Sequence, residues 1–253
     1  MNSPAPENLP PPSSWPPPPG SALTLRARLF GFAIYVSLFN FLPVVLFPIA
    51  SVFRSLLPKN GTTFSALFYY LVVVLSCLIA LVYVAVKQPA PTPLRDVWLS
   101  LLGKRDKLFA DILIGSGSYF PVMFFVILAS VASSRLFEIV PHPALKEFHN
   151  ANRLNQRLLF LQATVFAPII EETIFRGLLF TALRDAWGKG VAILLSGLIF
   201  AAVHPGMPGS LLPLWTLGIA LAMVYSWRKS LAACIALHMT FNTLAFVAQL
   251  YQK

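Results

Sequence analysis

Residues 158–184 read LLFLQATVFAPIIEETIFRGLLFTALR. The stretch is long and apolar enough for a membrane-crossing helix, which needs about 20 residues for a hydrocarbon layer of about 30 Å. Yet Glu171, Glu172 and Arg176 lie inside it. A carboxylate at the bilayer centre costs about 2.5–3.5 kcal/mol on insertion scales. Two of them, with an arginine one turn on, are too expensive to be decoration. A charged group at that depth marks a functional site.

The rest of the chain has the same character. Of 253 residues 57% are hydrophobic and only 11% are charged, against about 25% charged in a soluble domain. Apolar runs fall at about 29–53, 63–86, 109–131, 158–183, 191–204, 211–227 and 231–250. The reading is an all-α, polytopic membrane helix bundle of about seven or eight transmembrane helices. The count turns on whether 158–183, interrupted by Pro168 and the charges, is one kinked helix or two. Pro168 has no N–H to give the Thr164 carbonyl, which predicts a kink just before the acidic pair. The run at 191–204 stops at His204-Pro-Gly-Met-Pro-Gly209, which places His204 at a helix end.

Residues 1–22 form a Pro-rich tail with nine prolines, expected to be disordered and partly polyproline II. It lacks the basic region and apolar core of a signal peptide. Residues 23–157 hold the first helices and their loops, and residues 158–253 the charged core. The polar stretch Ser133–Arg157 reads either as an interfacial helix or as a plain loop. No internal repeat is seen.

Net charge is +10, but the Lys and Arg residues lie mainly between apolar runs. That pattern serves topology and lipid headgroups, and the lack of a basic stripe with interleaved aromatics argues against nucleic acid. Under a seven-span arrangement eleven of them fall on the side of the N-terminus and seven opposite. The positive-inside rule then puts the N-terminus in the cytoplasm. Cys77 and Cys234 fall in apolar runs and act as small hydrophobes.

Three C-terminal segments carry polar groups that lipid should exclude: Glu171, Glu172 and Arg176; then His204; then His238 and Asn242. Glu172 and Arg176 are i,i+4 neighbours and can pair as a structural couple, whereas Glu171, turned by about 100°, is free to face a cavity. His238 and Asn242 also share a helix face. One glutamate, two imidazoles and a carboxamide around a wet pocket suit hydrolysis of an amide by activated water. The same groups could serve as a proton relay of a transporter, or as polar glue in a non-catalytic scaffold. The lack of inverted repeats counts against the transporter.

Read as motifs, Glu171-Glu-Thr-Ile-Phe-Arg176 is EExxxR, Phe200-Ala-Ala-Val-His204 is FxxxH and His238-Met-Thr-Phe-Asn242 is HxxxN. In that order the trio resembles the CPBP family of intramembrane proteases, which contains the type II CAAX prenyl endopeptidases and the bacterial Abi proteins. The resemblance covers about residues 158–245. It implies a bundle with a site recessed in the membrane and an endopeptidase acting on a membrane-associated peptide, either prenylated and CAAX-like or of bacteriocin-leader type. It assigns Glu171 and His204 to water activation, His238 and Asn242 to an oxyanion hole, and Glu172, Arg176 and Phe200 to support. Some family members act as immunity or regulatory factors. No cofactor is firmly expected. Zinc is the ion that Glu171, His204 and His238 could hold, although HExxH is absent. The expected location is a bacterial inner membrane.

Overall fold

The apolar runs form helices in the computed structural model, which describes residues 25–56, 61–87, 98–99, 101–138, 148, 151–204 and 208–250. The Pro-rich tail, and most of the stretch read as interfacial helix or loop, lie outside the described residues. The helices are α1 (Leu25–Leu56), α2 (Gly61–Val86), α3 (Leu108–Gly117), α4 (Tyr119–Ser134), α5 (Arg153–Leu161), α6 (Ala167–Glu172), α7 (Thr181–Ala202), α8 (Leu211–Arg228) and α9 (Leu231–Leu250). Gln162–Phe166 and Thr173–Phe180 join α5, α6 and α7 as wider π-helical turns. No strand occurs among the described residues. The chain is a helical membrane bundle.

Among the described residues five helical stretches are long and apolar enough to cross a bilayer, and Leu71–Val86 is a shorter apolar one. The longest, Arg153–Ala202, has 50 residues and is broken at Gly188, whose φ of 83° and ψ of 169° are not helical. The positive φ explains the glycine, since a Cβ there would be strained. Cut at Gly188, this stretch holds the two apolar runs read at 158–183 and 191–204. The acidic pair thus lies on a continuous helical path, and the chain breaks later, in the polar segment around Trp187. The 109–131 run extends over α3 and α4, which differ only by a slight irregularity at Ser118.

What buries these helices is mainly one another. Ile174, Leu178 and Phe180 of the second π-turn, Phe200 of α7, Leu217 and Leu221 of α8 and Leu237 of α9 are nearly or fully buried and share a core with Val84 of α2. Outward-facing Phe109, Phe120, Phe124 and Phe125 of α3 and α4 are exposed. In water such a surface would aggregate, while in lipid it is the solvent-facing side.

Small residues let α7 and α8 approach closely. A Cβ added at Gly218 would lie 2.8 Å from Gly197 Cα, and one at Gly197 would lie 2.9 Å from the Ile219 nitrogen. This close backbone contact is the packing expected where lipid supplies no hydrophobic drive between helices.

Polar bonds fasten the two ends of the bundle. Arg28 of α1 pairs with Asp185 of α7, and Arg228 of α8 pairs with buried Asp111 of α3 at 2.6 Å. Ser230 Oγ donates to the Leu102 carbonyl at 2.8 Å. At the other end Ser133 Oγ donates to the Gly209 carbonyl at 2.7 Å.

Candidate active site

The helix that carries the acids begins with a good cap: Asn152 accepts from the Asn155 N–H at 2.9 Å. After the nine residues of α5 the winding changes. The Ala167 N–H donates to the Gln162 carbonyl, one residue earlier than an α-helix would direct it. Pro168 follows at the start of α6. The sequence predicted a kink from the missing Pro168 N–H. The chain responds by widening ahead of the proline, a distortion common at functional sites.

Glu171 and Glu172 leave α6 in different directions and meet the same imidazole. Glu172 Oε1 lies 2.8 Å from His238 Nδ1. Glu171 Oε2 lies 3.8 Å from His238 Nε2 and 3.5 Å from His204 Nε2. Glu171 and both rings, from three helical segments distant in sequence, are therefore brought together.

Glu172 also pairs with Arg176, whose Nη1 donates to Glu172 Oε1 at 3.1 Å; both side chains are fully buried. The Arg176 Nη2 donates to the Gly218 carbonyl at 3.0 Å, and its guanidinium lies 4.7 Å from the Phe200 ring centroid. The paired charge is offset by a carboxylate, a carbonyl dipole and an aromatic face, as a buried ion requires. Phe200 also touches the His204 ring at 4.4 Å and the His238 ring at 5.8 Å between centroids. One ring thus contacts the guanidinium and both imidazoles.

His204 follows α7 by two residues; its N–H donates to the Ala201 carbonyl at 3.2 Å. Its Nδ1 lies 2.6 Å from the Phe200 carbonyl. A carbonyl only accepts, so Nδ1 carries a proton and donates it, which turns Nε2 towards Glu171. The same logic gives His238 a proton on Nδ1, donated to Glu172. Both rings are thus oriented by a partner on the far nitrogen.

Exposure sorts the groups. Glu171 and His204 keep 23% and 19% of their side-chain surface, while His238 keeps 3% and Glu172 none. The open side is formed by Glu171 and His204, and the buried set stands behind them.

Asn242 shares a face of α9 with His238, but its Nδ2 donates to the Ala163 carbonyl at 2.8 Å, within the first π-turn. The sequence reading missed both backbone acceptors, Gly218 O and Ala163 O. Gly197 and Gly218, small residues on successive apolar runs, were the available signal for the first. It also missed the second task of Glu172, which holds His238 as well as Arg176.

Glu171, His204 and His238 are of the donor types that hold zinc. Among the described residues, no group of three His, Cys, Asp or Glu meets the spacing of a metal site.

Residues 153–244, which contain every residue of the three motifs, match the family of type II CAAX prenyl endopeptidase Rce1-like proteins. The chain is also similar to the UPF0177 protein YaiF of Lactococcus lactis subsp. lactis (strain IL1403), with 32% identity over 50% of this chain and 59% of that one. It is 32% identical to the "Putative membrane peptidase YdiL" of Bacillus subtilis (strain 168) over 37% of this chain and 38% of that one. The UPF0177 protein YxdF of the same Lactococcus strain is 33% identical over 31% and 42%. The chain thus spans about two fifths to three fifths of the length of these curated relatives. No solved structure matches it. The resemblance to the CPBP intramembrane proteases holds for the segment that carries the site.

Proposed function

We propose, from an Rce1-like segment that carries this cluster inside a membrane bundle, that the chain is an intramembrane endopeptidase. It hydrolyses a peptide bond of a membrane-associated substrate with water activated by Glu171 and His204. The observation that carries the reading is the placement of Glu171 Oε2 at 3.5 Å and 3.8 Å from the two Nε2 atoms.

With His204 neutral and its proton on Nδ1, Glu171 Oε2 and His204 Nε2 are both acceptors. A water entering on the exposed side of this pair can donate one proton to each. As the water oxygen attacks the scissile carbonyl, Glu171 takes its proton. The oxyanion accepts hydrogen bonds from His238 Nε2 and from the second amide proton of Asn242. Donation by His238 from both nitrogens requires the doubly protonated ring. Glu171 passes its proton to the leaving amine as the C–N bond breaks.

The substrate class is a peptide presented at the membrane, CAAX-like and prenylated or of leader type. The test uses the purified protein in lipid with an internally quenched S-farnesylated CAAX peptide and an unprenylated leader-type peptide. Glu171→Ala and His204→Ala are each expected to lower hydrolysis by 100-fold or more, within the range lost with a general base, while accumulating normally. Full activity in either variant overturns the assignment.

The reaction written above needs no metal. Chelation is expected to leave the rate unchanged, and loss with recovery on adding back one metal would contradict the scheme.

The protein sits in a bacterial inner membrane with its N-terminus in the cytoplasm. Support comes from the end of the bundle tied together by Arg28–Asp185 and Ser230–Leu102. Arg26, Lys104, Arg105, Lys107, Lys189 and Lys229 are also at that end, and the positive-inside rule makes it cytoplasmic.

A further inference from the structure

We propose that Asn242 is a positioning residue: its carboxamide closes the backbone gap that Pro168 opens in the helix of Glu171, and so fixes where Glu171 stands. The inference rests on the endopeptidase reading above and gives Asn242 a task beyond contact with the substrate.

In an α-helix the Ala163 carbonyl would accept from the Ala167 N–H. That N–H goes instead to the Gln162 carbonyl. In the wider π register the partner of Ala163 would be residue 168, which is proline and has no N–H. Ala163 therefore loses its donor in either register. Asn242 Nδ2 supplies one from another helix, at 2.8 Å.

The gap matters because of what lies beyond it. Glu171 is three residues past Pro168, less than one turn. A π-turn holds one residue more than an α-turn, so its closure would rotate Glu171 relative to α5 by about 100°. The α5 end cannot follow freely, because Phe160 packs on Phe246 of α9 with centroids 5.4 Å apart. One turn from Asn242, His238 holds Glu172 at 2.8 Å. The same face of α9 thus grips the acid-bearing helix on both sides of Pro168.

The geometry predicts that the need for Asn242 is created by Pro168. In a Pro168→Ala chain, residue 168 gains an N–H that can serve Ala163 in the π register. The test is a double-mutant cycle of Asn242→Ala and Pro168→Ala in the full-length protein in lipid. Two readouts are taken. The first is the infrared carboxylate band of Glu171, isolated as the difference between each protein and the same protein carrying Glu171→Gln. The second is kcat and KM on the quenched S-farnesylated CAAX peptide.

Asn242→Ala is expected to shift the Glu171 band and to lower kcat by about 100-fold with little change in KM, the scale of a misplaced catalytic group. In the Pro168→Ala background the same substitution should leave the band in place and cost less than about 10-fold, the remainder reflecting lost oxyanion contact. Asn242→Asp as the carboxylate lacks the N–H and should behave like Asn242→Ala. If Asn242→Ala does not accumulate alone, its recovery in the Pro168→Ala background supports the proposal. An unmoved band, or equal losses in both backgrounds, overturns it. A wild-type protein that cleaves nothing counts against the endopeptidase reading alone, since the band still reports on Asn242.

Discussion

His238 has a carboxylate near each end of its ring, at 2.8 Å from Nδ1 and 3.8 Å from Nε2. Adjacent residues of one helix reach opposite sides of one imidazole because their side chains start about 100° apart. The pairing of Glu172 with Arg176 was legible from i,i+4 spacing. Its hold on His238 was not, because no spacing rule links residues on different helices. The charge on Arg176 makes this the most sensitive point for stability. Glu172→Gln removes the carboxylate from a fully buried guanidinium, and breaking such a pair costs about 3–5 kcal/mol. The expected outcome is a marked fall in the thermal midpoint in detergent, with Glu172→Gln and Arg176→Met together less damaging than the sum of the two. Additive losses would show that the pair does not act as a unit.

At the scale of the helices, winding and breaks decide the site. Pro168 announced a distortion, and its presence in the sequence was enough to expect one. That the chain would widen into a π-turn was not readable, because the choice depends on Asn242 arriving from α9. The turn at Gly188 lay inside a polar segment that the hydropathy pattern had already set between two runs. His204 was correctly read as lying at a helix end from the Pro and Gly that follow it. The crossing of α7 and α8 depends on Gly197 and Gly218, which the sequence reading passed over since isolated glycines carry little signal. Gly218→Ala puts a Cβ 2.8 Å from Gly197 Cα, where only backbone movement can relieve the clash. Overpacking of this kind costs about 1–3 kcal/mol. It should also displace the Gly218 carbonyl from Arg176, so hydrolysis is expected to fall together with the thermal midpoint. A variant with wild-type values for both would mean that the helices do not approach this closely.

For the whole molecule, composition and hydropathy fixed the class, because a chain so poor in charge has few ways to be soluble. The number of crossings was less legible, since Pro168 and the charges let 158–183 read as one kinked helix or as two, and only the backbone keeps it on one helical path and breaks the chain later, at Gly188. Exposed Trp187 and Trp227 lie beside the basic end, where amphipathic rings settle at the headgroups. The proposed orientation predicts that a cysteine introduced at Lys189 is labelled by an impermeant maleimide only after the membrane is opened from outside. One at Arg135 should be labelled in intact cells or spheroplasts. The reverse pattern would invert the bundle and put the His204 end in the cytoplasm.

The most direct test compares membranes from cells expressing the wild type, Glu171→Ala or His204→Ala at matched levels, by mass spectrometry of newly formed protein C-termini. Water activation by Glu171 and His204 predicts a set of membrane-associated fragments present with the wild type and absent with both variants. The same fragments at the same abundance with Glu171→Ala would contradict it.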